Sequence, residues 1–92
     1  MERVHLVISG DVQGIGFRAW ARQQARALEL TGWVKNRDDG AVEVVAEGRK
    51  KDLEELIKAC LAKRDPASQE VEKVEVEWGG TTGESLSFEV VY

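Results

Sequence analysis

The sequence is poor in cysteine, histidine and proline, with one of each among 92 residues. The single cysteine, Cys60, cannot form an internal disulfide, and the chain lacks the C-x-x-C spacing of zinc sites. We therefore expect a reducing compartment and neither a metal nor another cofactor. Apolar runs are also short: none approaches the ~20 residues of a membrane-spanning helix, and no signal-peptide stretch follows Met1-Glu2-Arg3. These absences predict a cytoplasmic protein without membrane contact.

The remaining composition, 42% hydrophobic and 33% charged, is typical of a globular protein. The chain is too short to divide its core between two domains, so we expect one domain over residues 1–92. The net charge of −4 argues against nucleic acid as a partner, because nucleic-acid-binding modules usually carry a basic face. Residues 1–40 hold six basic and five acidic residues, whereas residues 41–92 hold seven and twelve. The first part could therefore receive an anion, although the charge alone favours a merely solvated acidic surface in the second part.

Hydrophobic periodicity predicts five strands and two helices. Apolar residues alternate in the proposed strands, as in Val4, Leu6 and Ile8, and recur every three or four residues from Phe17 to Leu28. Strands are predicted at residues 4–8, 32–37, 41–47, 74–78 and 86–92, and helices at residues 17–28 and 49–64.

Glycine and proline mark where these elements end. Gly32 lies where a helix is usually stopped, so we expect it to end the first helix. Asp65-Pro66 ends the second helix. Asp39-Gly40 supplies the positive φ angles of a tight hairpin between the second and third strands. Residues 79–83 are the most flexible-looking stretch of the chain.

The order of elements, βαββαβ plus a C-terminal strand, is the split β-α-β arrangement of ferredoxin-like folds. We therefore predict an α+β protein, a two-layer α/β sandwich with both helices on one face of a mainly antiparallel five-stranded sheet. The final strand is predicted at the edge beside the second strand. Because this scaffold carries many unrelated activities, the fold alone does not define a function.

A glycine-rich loop connects the first strand to the first helix. Gly10, Gly14 and Gly16 allow consecutive backbone N–H groups of this glycine loop, residues 10–17, to turn toward one point. The helix N-terminus adds free N–H groups, and Arg18 adds a charge and a planar fork suited to phosphate oxygens. The loop matches neither a Walker loop nor a dinucleotide fingerprint. A structural turn beside a solvated arginine explains the same residues.

Asn36 is the second candidate functional residue, and it lies at the same end of the predicted sheet as the glycine loop. In the predicted topology it lies near the end of the second strand, which runs parallel to the first, at the edge that Gly10 also occupies. One strand separates the two, so we expect a distance of roughly 10 Å. The alternative reading of Asn36 is a turn-forming residue ahead of residues 38–40.

Two segments resemble the signatures of the acylphosphatase family. Residues 10–18, GDVQGIGFR, resemble G-x-V-Q-G-V-x-F-R, and residues 32–40, GWVKNRDDG, resemble G-W-V-x-N-x-x-D-G. Later segments are also similar to the family, so that the resemblance covers nearly the whole chain. The departures are Asp11, whose side chain we expect to point to solvent, and Asp38, where proline is common.

This resemblance implies a metal-independent enzyme, expected to be a monomer, that hydrolyses small acyl phosphates to carboxylate and inorganic phosphate. It implies that Arg18 and Asn36 are the catalytic residues, with Asn36 positioning the attacking water. It also implies a set of residues that bind the phosphoryl group: Asp11, Val12, Gln13, Gly14, Ile15, Gly16, Phe17 and Arg18.

The chemistry of the reaction is consistent with the scarcity of reactive side chains. The leaving group is a carboxylate, whose conjugate acid has a pKa of about 4, so it departs without a general acid. Asparagine is no base near neutral pH. Our hypothesis is that the substrate's own phosphate, with a second pKa of about 6, accepts the proton of the attacking water.

Two other functions fit parts of the sequence. A non-catalytic ferredoxin-like module could keep the glycine loop for an anionic ligand or a partner protein. An RNA-binding domain of this topology needs basic and aromatic residues on exposed strands. Four acidic side chains are instead predicted to project from two strands: Glu43, Glu47, Glu75 and Glu77.

The remaining reactive side chains are predicted to be structural. His5 lies far from the end of the first strand, and Cys60 falls on the apolar stripe of the second helix. Asp38 and Asp39 could join Asp11 at a metal, but their hairpin context favours a structural role. The aromatic residues are predicted to pack in the core: Phe17, Trp20, Trp33, Trp78 and Phe88.

Overall fold

The computed structural model describes residues 1–13, 16–62 and 70–92. Its elements, in chain order, are β1 (Glu2–Asp11), α1 (Phe17–Ala27), β2 (Thr31–Asn36), β3 (Val42–Gly48), α2 (Lys50–Leu61), β4 (Glu70–Gly79) and β5 (Phe88–Val91).

The strands form one sheet in the order β4-β1-β3-β2-β5. β1 pairs antiparallel with both β3 and β4, β2 pairs antiparallel with β3, and β5 joins β2 in parallel. The predicted ferredoxin-like α+β sandwich is confirmed, including the position of the final strand at the edge beside β2.

One face of the sheet packs against both helices. Val4, Leu6 and Ile8 alternate along β1 and are fully buried, as their period of two predicted. The helices contribute an apolar stripe each to the same core: Phe17, Ala21 and Ala25 from α1, and Leu53, Leu56 and Cys60 from α2. This core, which also includes Val12, fixes α1 against the sheet.

The first helix ends one residue before its predicted bound of residue 28, and Gly32 does not end it. It ends at Ala27, with Leu28 as its C-cap and Glu29 at a φ of 58°. Gly32 lies inside β2 at a φ of 139°, where a Cβ atom would overlap the backbone carbonyl oxygen of Val45. Gly32 therefore belongs to the predicted strand at residues 32–37 and is not a helix stop, since its missing side chain allows two strands to approach each other. The predicted end of α2 at Asp65-Pro66 lies outside the described residues.

The connection between β4 and β5 is held by a carboxylate. Glu47 is 9% exposed and accepts hydrogen bonds from the backbone N–H and hydroxyl of Thr82, at 2.8 and 2.9 Å, and from the N–H of Gly83 at 3.1 Å. The bond from the Thr82 backbone is the main cause that lowers the pKa of Glu47, against the opposing effect of burial. The sequence predicted that the Glu47 side chain projects into solvent, and this prediction was wrong. The residues that donate to Glu47 belong to the stretch at residues 79–83 that the sequence predicted to be flexible.

The aromatic residues divide between core and surface. Phe17 and Phe88 are buried and Trp20 packs against the core, as predicted. Trp33 and Trp78 lie outside the core cluster of the described residues, and Trp78 is 40% exposed, so the core prediction was wrong for these two. Within the described part of the chain, no helix is long and apolar enough to span a membrane.

Candidate functional site

The sheet register places Asn36 near the end of β1, with one strand between them. Ile8 and Asn36 both pair with Val42 of the intervening strand, so the three residues form one row across the sheet. Two strand spacings of about 4.8 Å separate the outer two residues of this row by roughly 10 Å. Gly10 follows two residues beyond Ile8 on β1, and the predicted arrangement with one strand between is confirmed.

The described part of the glycine loop combines buried and exposed residues. Val12 is fully buried and anchors the loop in the core, whereas Asp11 and Gln13 are exposed. Gly10 and Gly16 have φ angles of 128° and 102°, which favour glycine. Exposure of Asp11 keeps its carboxylate in solvent, as expected. Gly14 and Ile15 lie outside the described residues.

The N-terminus of α1 is suited to an anion. Gly16 is the N-cap, and among the described residues no side chain caps the helix and no acidic residue lies in its first turn. The first-turn N–H groups therefore keep the partial positive charge of the helix end. Buried Phe17 packs against Trp20 with ring centroids 5.4 Å apart, which fixes the direction in which the helix starts. Arg18 follows in the first turn and is half-buried.

Tyr92 lies against Arg18. The guanidinium carbon of Arg18 is 4.6 Å from the centroid of the Tyr92 ring. A cation–π contact needs no hydrogen-bond acceptor, so it does not by itself occupy the N–H donors of the guanidinium group. No motif or spacing in the sequence connects the two residues, so this contact could not be predicted from it.

A second arginine of α1 ties β5 to the helix. Arg26 donates from Nε to the carbonyl of Phe88 at 3.0 Å and from a terminal nitrogen to the carboxylate of Glu89 at 2.9 Å. Along the helix, Arg18 and Arg26 are roughly 12 Å apart. Phe88 and Tyr92 are roughly 13 Å apart along extended chain. The matching lengths allow β5 to contact α1 at both places.

Gln13 connects the glycine loop to the β2–β3 hairpin. Its side-chain Nε2 donates hydrogen bonds to the carbonyl oxygens of Arg37, at 2.6 Å, and of Ala41, at 2.7 Å. Arg37 and Ala41 are themselves paired across the hairpin, the N–H of Arg37 donating to the carbonyl of Ala41 at 2.8 Å. The loop is thus attached to the hairpin next to Asn36.

The acidic residues of the hairpin are structural. Asp39 accepts a hydrogen bond from the N–H of Ala41 at 3.0 Å and forms an ion pair with Arg37 at 3.0 Å. Gly40, at a φ of 93°, supplies the positive φ angle that the sequence predicted for this turn. Asp38 is exposed. Across residues 1–13, 16–62 and 70–92, no three His, Cys, Asp or Glu side chains are grouped so as to hold a metal ion.

The histidine is paired on the sheet and the cysteine is buried in the core. His5 Nε2 is 2.6 Å from a carboxylate oxygen of Glu43 and pairs in register with Val45, three residues before Ile8 on its strand. Cys60 is buried in the core, and burial raises the pKa of its thiol to about 12. The predicted structural roles of both residues agree with these positions.

Comparison with known proteins gives consistent matches. The family model Acylphosphatase matches residues 4–90. An acylphosphatase of Pelotomaculum thermopropionicum is 46% identical over 90 residues, which cover 98% of this chain and 96% of the relative. The crystal structure of acylphosphatase from Bacillus subtilis has a TM-score of 0.91 at 36% identity, with 100% of both chains covered. An acylphosphatase structure from Coxiella burnetii has a TM-score of 0.85 at 35% identity, covering 98% of this chain and 93% of the other.

Proposed function

Because the chain belongs to the acylphosphatase family, whose members hydrolyse acyl phosphates, we propose that it splits the carboxyl-phosphate bond of small acyl phosphates. It does so through its glycine loop, Arg18 and Asn36, without a metal ion. The single observation that carries this proposal is the row of Ile8, Val42 and Asn36, which puts Asn36 within reach of a group bound at the glycine loop.

The glycine loop and Arg18 bind the phosphoryl group. Backbone N–H groups of residues 11–17 and the N-terminus of α1 neutralise its equatorial oxygens, and Arg18 adds a full charge in a planar fork. The left-handed φ angles of Gly10 and Gly16 and the uncapped helix start support this role. Negative charge spread over these oxygens in the transition state is stabilised by donors already in place.

Asn36 holds the attacking water. Its side-chain amide both accepts and donates hydrogen bonds, so it can orient a water molecule without removing a proton from it. The water oxygen forms the new bond to phosphorus, and the bond from phosphorus to the acyl oxygen breaks. The carboxylate leaves with the electron pair of that bond, and the water's proton passes to a phosphoryl oxygen. The products are a carboxylate and inorganic phosphate.

No general acid, general base or metal is required by this mechanism. The carboxylate is stable as an anion near neutral pH and needs no proton to leave. In agreement with this, Cys60 is buried in the core, and His5 pairs with Val45 three residues before Ile8 on β1.

The experiment is hydrolysis of benzoyl phosphate by the purified protein in excess EDTA, with phosphate release measured over time. We expect full turnover in the chelator and near-complete loss in Arg18→Ala, with the fold retained by circular dichroism. Arg22→Ala, a substitution on the same helix one turn further on, is the matched control and retains activity. Phosphate binding without turnover by the parent protein would contradict the proposal and support the non-catalytic module instead.

A further inference from the structure

The side chain of Gln13 ties the glycine loop to the hairpin that carries Asn36. We propose that Gln13 is a positioning residue, which sets the distance between the bound phosphoryl group and the water held by Asn36. This inference rests on the proposed function. It assigns to the Gln13 side chain a task separate from phosphate binding, which the resemblance implied for this position.

The geometry at Gln13 uses both hydrogens of one amide group. A side-chain NH₂ carries two donors, and here Nε2 faces two carbonyl oxygens, of Arg37 at 2.6 Å and of Ala41 at 2.7 Å. Two converging carbonyls also decide which end of the amide faces them, because the amide oxygen would be repelled. With its NH₂ directed at the hairpin, the side chain is committed to protein acceptors rather than to a substrate oxyanion.

The two carbonyl acceptors lie close to Asn36 in the hairpin and so help to fix its position. Arg37 directly follows Asn36 in the chain, and its N–H and the carbonyl of Ala41 form the pair that closes the hairpin, at 2.8 Å. A shift of the Arg37 carbonyl therefore moves the adjacent Asn36. β3 lies between β1 and β2, so the strands that carry the loop and Asn36 do not pair with each other. Gln13 spans this separation directly.

The distance between the glycine loop and Asn36 matters more for in-line attack by water than it does for phosphate binding. The loop N–H groups and Arg18 bind the phosphoryl group whether or not the hairpin is in place. The water reaches phosphorus only when Asn36 is at the correct distance, and a displacement of about 1 Å can cost about a hundredfold in rate. Loss of the Gln13 hydrogen bonds should therefore lower kcat while leaving KM nearly unchanged.

The test compares Gln13→Met, which is similar in size but donates no hydrogen bond, with Gln13→Lys, whose ammonium group can donate to both carbonyls. Gln23→Met is the matched control, since Gln23 is exposed on α1. With benzoyl phosphate we expect kcat of Gln13→Met to fall about ten- to a hundredfold and KM to stay within about threefold. Gln13→Lys should recover most of the lost kcat, and Gln23→Met should match the parent.

Other outcomes separate this inference from the proposed function. A rise in KM with kcat intact would mean that the side chain binds phosphate, and it would overturn the inference. Unchanged kcat in Gln13→Met would overturn it as well, as would equal losses in the Met and Lys variants. No turnover by the parent protein would instead refute the proposed function itself. If Gln13→Met fails to fold by circular dichroism, Gln13→Lys alone is compared with the parent. Retention of most of the parental kcat, with KM nearly unchanged, supports the inference, and a large loss of kcat overturns it.

Discussion

The guanidinium carbon of Arg18 lies 4.6 Å from the centre of the Tyr92 ring, so the proposed phosphate-binding arginine is stacked on an aromatic residue 74 positions later in the chain. The contact joins the start of α1 to the segment after β5. Arg26, eight residues further along the helix, holds β5 itself through Phe88 and Glu89. Tyr92 is thereby placed to restrict the conformations of the Arg18 side chain before substrate binds.

Loss of the Tyr92 ring is expected to weaken phosphate binding. An exposed cation–π contact contributes about 0.5–1 kcal/mol, so KM for benzoyl phosphate in Tyr92→Ala should rise roughly two- to fivefold. Tyr92→Phe keeps the ring and should behave as the parent. Steady-state kinetics of the two variants check this. An equal rise in both would show that the hydroxyl group, rather than the ring face, matters.

The thiol of Cys60 is expected to be unreactive in the folded protein. It is buried, and burial raises its pKa to about 12, so almost no thiolate is present at pH 8. Labelling with a disulfide reagent at pH 8 should be negligible under native conditions and should reach one thiol per chain in guanidinium. Rapid labelling of protein that keeps its native circular dichroism would contradict the buried position.

The carboxylate of Glu47 is expected to stabilise the fold in a pH-dependent way. Its pKa is lowered below the ordinary 4.5, chiefly by the hydrogen bond from the Thr82 backbone. Its contribution is therefore fully present above pH 4.5 and is lost as the pH falls through the lower value of the folded state. Glu47→Gln should reduce the free energy of unfolding by roughly 1–2 kcal/mol at pH 7.

Urea denaturation at pH 7 and at pH 3 measures this difference. The deficit of Glu47→Gln relative to the parent should shrink at pH 3, because the parent's carboxyl group is then increasingly protonated. Glu54→Gln, on the exposed side of α2, is the control and should change little at either pH. An equal deficit at both pH values would show that the carboxylate charge is not what holds the loop.

Gly32 is expected to tolerate no side chain. A Cβ atom there would overlap the carbonyl oxygen of Val45, and the φ of 139° is itself unfavourable for other residues. Gly32→Ala should lower the free energy of unfolding by about 3–5 kcal/mol. Gly40→Ala, at a φ of 93° with open space around the position, should cost only about 1–2 kcal/mol. Equal losses in urea denaturation would contradict the close approach of the strands.

The sequence predicted the element order, the sheet and the position of Asn36 one strand away from the first strand, because these depend on periodicity and pairing rules. It failed where a residue's role depends on a distant segment. Gly32 has the spacing of a helix stop, yet its conformation serves the contact with β3. Glu47 alternates as a solvent-facing residue, yet the returning connection at Thr82 covers it. Neither distant partner is visible in the local pattern.

The side-chain contacts of the site were beyond sequence reasoning for the same reason. Gln13 lies within a recognisable signature, but its two acceptors are 24 and 28 positions away and can be identified only once the hairpin is in place. The stacking of Tyr92 on Arg18 depends on how β5 is anchored along α1. The signature indicated the candidate residues of the proposed site, and the packing determines what each side chain contacts.

The most direct test of the account is the turnover of Asn36→Ala on benzoyl phosphate, measured together with inhibition by inorganic phosphate. The variant keeps the glycine loop and Arg18, so its inhibition constant for phosphate should stay within about twofold of the parent's. Its kcat should fall at least about a hundredfold, because the attacking water is no longer positioned. Retention of parental kcat in Asn36→Ala would contradict the central claim that this asparagine holds the nucleophile.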